Sequence, residues 1–204
     1  MTPQEFDADR KQPNDPKQQF YKVAEPLFER YGFRKTTVEE ICKATGASKR
    51  TFYELFSDKG DIFINLVINI SERELRKWAV HLPDDLDPYG QLESFIDFYV
   101  EVLARRQVFK IFFEEPDLFT KLSNVPDMRQ SPMFITLMDL LDRGVKSGQF
   151  RRLDSESAVW IVFTILDSMY FLLPMMSNVK GAGDNPVLAS EVKQFILNAV
   201  GVKR

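Results

Sequence analysis

The sequence predicts an all-α chain, a compact three-helix head followed by a larger helical body. Three observations predict it. Apolar residues recur at spacings of three and four along most of the chain. Cap residues and glycine stops punctuate those periods. Segments of alternating β-branched residues, the mark of half-buried strands, are absent, as are internal repeats.

Residues 1–16 hold Pro3, Pro13 and Pro16 among polar residues and read as a disordered arm. A first helix is expected from about Lys17 to Tyr31, with Phe20, Val23, Ala24, Leu27 and Phe28 on one face. Pro26 should kink or weaken it, and Gly32 should end it. Thr37 then caps a second helix. Its hydroxyl accepts from the amide three residues on, and Glu40 reaches back to the Thr37 amide, a capping box. Val38, Ile41 and Cys42 fall on one face, and Gly46 supplies the left-handed stop. Ser48 caps a third helix that buries Phe52 and Phe56 and leaves Lys49, Arg50, Thr51 and Tyr53 outward.

Two short helices joined by a tight turn, the second with a basic exposed start, form a helix-turn-helix, the unit that lays its second helix in the DNA major groove. A long helix follows from about Asp58 to His81. Beyond the break at 82–90 come helices carrying Leu92 to Leu103, Val108 to Glu114, and Phe134 to Leu141. Pro116 interrupts before Leu118 and Phe119. Asp154 or Ser155 caps a helix through Leu173, and a last helix runs from about Pro186 to Val200. The expected domains are therefore a 17–60 helix-turn-helix DNA-binding domain and a 61–204 helical effector-binding and dimerisation domain.

Composition narrows the function. Hydrophobic residues make up 44% of 204, ordinary for a globular protein. No apolar run approaches the roughly 20 residues that span a bilayer. The longest, Trp160 to Met176, is broken by Thr164, Asp167, Ser168 and Pro174. With a polar N-terminus lacking an apolar signal core, the expected location is cytoplasmic, with no membrane partner. Cys42 and His81 are the only cysteine and histidine. They leave no disulfide, no cysteine cluster and no histidine-based zinc site, so no metal or cofactor is expected. Cys42 reads as a small buried apolar residue and His81 as a helix-end cap. Neither a phosphate-cradling glycine loop nor a G-x-S-x-G elbow is present, which sets an enzyme aside. Net charge is −3, yet residues 17–59 carry nine Lys/Arg against six Asp/Glu. A modestly basic head on an acidic body suits a sequence-specific binder with few phosphate contacts.

The string LFERYGFRKTTVEEICKATGASKRTFYELFSDKGDIF, Leu27 to Phe63, resembles the TetR family of bacterial transcriptional regulators. It carries that family's Gly-aromatic, Thr-Thr-Val, Ile-small-x-Ala-x-Gly and Ser-Lys-x-Thr-apolar-Tyr-x-x-Phe pattern. In the body only the Ser147-Gly148-Gln149-Phe150-Arg151 turn and the Asp154 cap match. The resemblance implies a homodimer joined through its last two long helices, an inverted-repeat operator in double-stranded DNA, and a small-molecule effector in the body that releases a repressor. A DNA-binding accessory or regulatory protein with no effector is the alternative.

Seven residues form the expected DNA-binding set. Thr37 offers a hydroxyl and an N–H to a phosphate at a helix N-terminus. Ser48, Lys49, Arg50 and Thr51 stand where base edges come within reach, and Arg50 is the candidate for guanine. By the resemblance, Tyr53 and Lys59 contact phosphates. Glu54 and Leu55 depart from the family pattern. Glu54 is expected to accept from cytosine or point away, and Leu55 to pack inward.

Most of the 18 phenylalanines lie in the body, which implies a greasy site for an aromatic or acyl effector if a cavity is present. Its expected lining is Phe98, Tyr99, Phe112, Met138, Phe163 and Asp167. Asp167 is a carboxylate in an apolar helix and must either attract a cationic ligand or be hydrogen-bonded near the dimer seam.

Overall fold

The computed structural model describes residues 15–115, 117–118, 121, 127–170, 173, 176 and 185–202. Residues 1–14 of the expected 1–16 arm lie outside them, as do Pro116 and, of the body aromatics, Phe119 and Phe171. Among the described residues the chain is all-α. The helices are α1 (Pro16–Lys35), α2 (Val38–Thr45), α3 (Lys49–Leu55), α4 (Lys59–His81), α5 (Pro88–Arg105), α6 (Gln107–Glu114), α7 (Pro132–Lys146), α8 (Ser155–Tyr170) and α9 (Pro186–Val200).

Asp15 and Pro16, expected in the arm, open α1 instead, and the later caps sit where the sequence puts them. Asp15 accepts from the Lys17 amide, with Pro16 at the first helical position, where its missing N–H costs nothing. Pro26 stays inside α1, and the only departure from helical backbone there is Gly32, at φ 79°. The expected kink at Pro26 is thus absent. Residues 33–35 form one further turn beyond the glycine before Thr36, whose hydroxyl donates to the Gly32 carbonyl at 2.9 Å. Both halves of the Thr37–Glu40 capping box form, and Gly46 ends α2 at φ 74°. Ser48 accepts from the Thr51 amide. His81 Nδ1 lies 2.7 Å from the Lys77 carbonyl at the end of α4, and Cys42 is buried. Asp154 accepts from the Ser157 amide at 2.9 Å and opens α8.

The chain forms two compact units, Met1–Arg73 with Arg106–Val125, and Glu74–Arg105 with Pro126–Arg204. This differs from the expected boundary at 60/61. The first unit keeps the start of α4 and also takes α6. Its core interlocks aromatic rings from three helices: Phe20 meets Phe52 and Phe56 edge-on at 5.8 and 5.7 Å, and Phe28 meets Phe63 at 4.9 Å. Such edge contacts add to the area these rings remove from water. α6 joins α1 through charge. Glu25 of α1 accepts from Arg73 and from Arg106, which also reaches Glu29 at 3.2 Å. Arg34 pairs with Glu115 at 2.9 Å. Burial pushes the Glu25 carboxyl up, but hydrogen bonds from Arg73 and Arg106 outweigh it and hold the group below its usual range. None of these long-range pairs has a spacing that sequence periodicity could reveal.

The second unit is a helical bundle of α5, α7, α8, α9 and the end of α4. Leu92, Phe95, Ile96, Phe134, Leu137, Leu141, Val159, Leu166 and Leu197 are its buried centre. Phe150 closes it by packing directly on Gly144, and a Cβ at that glycine would sit 1.9 Å from the Phe150 ring. Two antiparallel backbone contacts tie the 149–151 turn to the chain end, Arg151 N to Val200 O at 2.9 Å and Val202 N to Gln149 O at 3.4 Å.

Candidate nucleic-acid interface

The Thr36-to-Phe56 segment is held from inside so that one face stays outward. Ile41 and Phe52 are fully buried and anchor α2 and α3 to α1. Because Phe52 points in, Tyr53, one residue and about 100° further round, must point out. Its ring is 56% exposed and rests edge-on against Phe52 at 5.3 Å. Lys49 and Arg50 are exposed at the N-terminal turn of α3, with side chains 55% and 89% accessible. Leu55 is half-buried, in line with the expected inward packing.

The interface is thus basic and aromatic, but its cations are not bare. Lys49 pairs with Glu39 of α2. Arg50 donates to Glu54 at 3.0 Å, one turn along α3. Hydrogen bonding from Lys49 holds the Glu39 carboxyl below its usual range. Pairs this exposed are weak, so a phosphate or base edge can displace them. Glu54 therefore points along the helix to Arg50 rather than into solvent alone. The Thr37 hydroxyl and N–H both reach Glu40 at 2.8 Å. Ser48 and Thr51 share a hydrogen bond at 2.9 Å. The Tyr53 hydroxyl has no hydrogen-bond partner among the described residues, which leaves it free for an incoming oxygen.

Lys59 is turned elsewhere. Its ammonium donates to the carbonyls of Phe33 at 2.7 Å and Thr36 at 2.9 Å, and lies 4.4 Å from the centre of the Phe33 ring. Burial lowers its pKa from the ordinary lysine value. The side chain fastens the end of α1 to the start of α4. Sequence reasoning missed this, and it missed the Glu39–Lys49 pair, because both partners meet only after the helices pack.

In the body, five of the six expected lining residues fall in the second unit, and Phe112 belongs to the first, where it packs on Phe113 at 5.0 Å. Tyr99 donates to Asp167 at 2.8 Å and faces Phe163 at 5.5 Å. Phe163 also meets Phe95 and Phe134. Phe98 stacks on Trp78 at 5.6 Å. Met138 is half-buried on α7. Among the described residues no group of three or more His, Cys, Asp or Glu could hold a metal ion, and no helix is long and apolar enough to cross a membrane.

Residues 20–66 match the family model of bacterial regulatory proteins, tetR family, over the same span that the geometry marks as a DNA reader. The head is similar to the DNA-binding segment of that family. An uncharacterized HTH-type transcriptional regulator of Bacillus subtilis, YhgD, is 20% identical over 159 residues, 77% of this chain and 83% of that protein. The fold extends the likeness past the head. The crystal structure of FadR from Bacillus subtilis in complex with stearoyl-CoA is 18% identical, with a TM-score of 0.63 over 89% of this chain and 98% of that one. The regulator RolR in complex with resorcinol is 17% identical, with a TM-score of 0.69 over 92% and 88%. At these identities the likeness to the solved structures shows the TetR-like fold alone. The chain is thus similar to TetR-family regulators in its head by sequence and in its whole by fold.

Proposed function

We propose that this TetR-type regulator is a cytoplasmic homodimeric repressor that releases an inverted-repeat operator when a small hydrophobic or aromatic effector enters its body. The observation that carries the reading is the rigid seating of α3. Phe52 is buried to 0% exposure while Arg50 and Tyr53, its near neighbours, remain open. Arg50 takes a guanine edge, Lys49 a second base or a phosphate, and Tyr53 a phosphate oxygen. Ser48, Thr51 and Thr37 line the same approach with short polar groups, and Lys59 holds the motif in register.

Dimerisation is supported by apolar surface on the last two long helices. Trp160 and Ile161 of α8 are 40% and 58% exposed, and Val187 and Phe195 of α9 are 71% and 65% exposed. Exposed large apolar residues concentrated on two helices fit a surface that another copy covers. A symmetric dimer would place its recognition helices on half-sites about one helical turn apart, roughly 34–36 Å. The aromatic filling of the second unit supports an effector site there, and the regulators of like fold bind an acyl-CoA in one case and a phenol in another. Effector action requires only that the ligand bind better to the form that misfits the operator.

The test is fluorescence anisotropy with a selected operator at fixed salt, titrated with acyl-CoAs and with simple phenols. Release of DNA by either class supports the reading. Operator binding that no such compound weakens would favour a regulator without an effector.

A further inference from the structure

Asp167 is a carboxylate set among aromatic residues of the second unit. It lies on α8 between Phe163, one turn before it, and Tyr170, one turn after. Tyr99 of α5 closes the third side, its ring stacked on Phe95 at 6.3 Å and tilted against Phe163 at 5.5 Å. Tyr99 donates to Oδ1 of Asp167 at 2.8 Å. The Tyr170 hydroxyl is turned away to the Val100 carbonyl at 2.7 Å. Among the described residues, Oδ2 has no hydrogen-bond partner.

Among the described residues, no cation of the helices packed against α8 pairs with this carboxylate. On α5, Arg105 is held by Glu74 at 3.3 Å. On α7, Arg143 is held by Asp139 at 2.9 Å. On α9, Lys193 is held by Asp97 at 2.9 Å and Glu93 at 3.5 Å. Burial raises the Asp167 pKa to about 6, and the opposing influence is the single Tyr99 hydrogen bond. A carboxylate set among rings without a counter-charge is unfavourable in a core and is ordinarily replaced by a neutral residue. The side chain is nevertheless half-buried rather than sealed, as are Tyr99, Phe98 and Met138.

We infer that Asp167 and Tyr99 form the polar end of the effector site and that the effector is an organic ammonium carrying an apolar or aromatic group. The ammonium donates to Oδ2 and supplies the missing charge, and the rings of Tyr99 and Phe163 contact its cationic and apolar parts. Tyr99 fixes Oδ1, so that the other oxygen is presented to the ligand. This inference rests on the reading of the protein as an effector-responsive regulator and narrows the effector class.

The experiment is isothermal titration of the full-length protein at pH 7.5 with three ammonium probes, phenethylammonium, hexylammonium and benzyltrimethylammonium, and with 2-phenylethanol as a neutral match for the first. The inference expects at least one ammonium to bind about tenfold or more tighter than the alcohol, and Asp167→Asn to remove that preference while the alcohol's affinity is kept. Asp167→Asn retains the shape and can still accept from Tyr99, and its circular dichroism and melting confirm that it is folded. Equal affinity for amine and alcohol, amine binding that survives Asp167→Asn, or no saturable ammonium binding up to about 10 mM would each overturn it. So would dissociation of a dimer by Asp167→Asn, which would assign the carboxylate to the seam between copies. Operator binding measured on the same samples separates the two readings. Retained DNA binding with no ammonium response discards this inference alone, whereas no DNA binding discards the regulator reading beneath it.

Discussion

Lys59, expected to reach a phosphate, also braces the backbone of the motif. Its ammonium satisfies two backbone carbonyls at the end of α1, and hydrogen bonds to a charged group are worth more than neutral ones. Lys59→Met should therefore cost about 1 kcal/mol, about 2–4 °C in Tm for a chain of this size, because the half-exposed carbonyls recover part of the loss from water. A melt followed by circular dichroism measures it, and an unchanged Tm would return Lys59 to the role of free phosphate ligand. Glu39 makes the complementary case. It neutralises Lys49 on the face proposed to meet DNA. Glu39→Gln should tighten operator binding by about two- to fivefold and steepen the salt dependence, since one more cation becomes available to a phosphate. Anisotropy titrations at several salt concentrations give both numbers. At this scale the sequence was most legible for local chemistry. Thr37, Ser48 and Asp154 all cap at the amide three residues on. Pairs such as Glu39–Lys49, ten residues apart across a turn, have no such local signature.

Helices fall into the same division. Period and caps place α2, α3, α5 and α7 close to their observed ends, because an amphipathic face and its stops are written in neighbouring residues. The membership of α6 is not written there. Its short apolar stretch reads equally well as part of the body, and it joins the first unit through Arg106, Glu25 and Glu29, three residues from distant parts of the chain. Gly144 shows a close approach that pattern alone cannot distinguish from a weak spot in a helix. Its backbone meets the buried ring of Phe150, so Gly144→Ala must displace that ring despite the better helix propensity of alanine. The expected net effect is a loss of about 1–3 kcal/mol. Urea unfolding would register it as a lower midpoint with an unchanged slope. A gain in stability would mean that the Phe150 turn yields freely.

On the scale of the whole molecule, charge placement links stability to function. The folded state raises the Asp167 carboxyl to about 6, above the value it has in an unfolded chain. The ionised form therefore penalises the fold at neutral pH, and that penalty is relieved as pH falls from about 7 towards 4, where the folded state holds the proton. Asp167→Asn should stabilise the protein by an order of 2–3 kcal/mol at pH 7 and by little at pH 4. Denaturant titrations of both proteins across that range test it, and a constant difference would show that Asp167 is not the group responsible. A basic stretch precedes an acidic remainder in the sequence, but the two compact units divide within α4 and the first also takes α6. The aromatic body residues gave only a class of surroundings. Which of them meet Asp167 depends on helix packing, and Phe112 was placed with them when it belongs to the other unit. The central claim is that the face bearing Lys49, Arg50 and Tyr53 reads a specific duplex as a symmetric pair. In vitro selection from a random duplex library at a stated salt concentration tests it most directly. The account expects enrichment of an inverted repeat with half-sites about one turn apart, lost with Arg50→Ala and Tyr53→Ala. Enrichment no greater than that of the doubly substituted protein would contradict it.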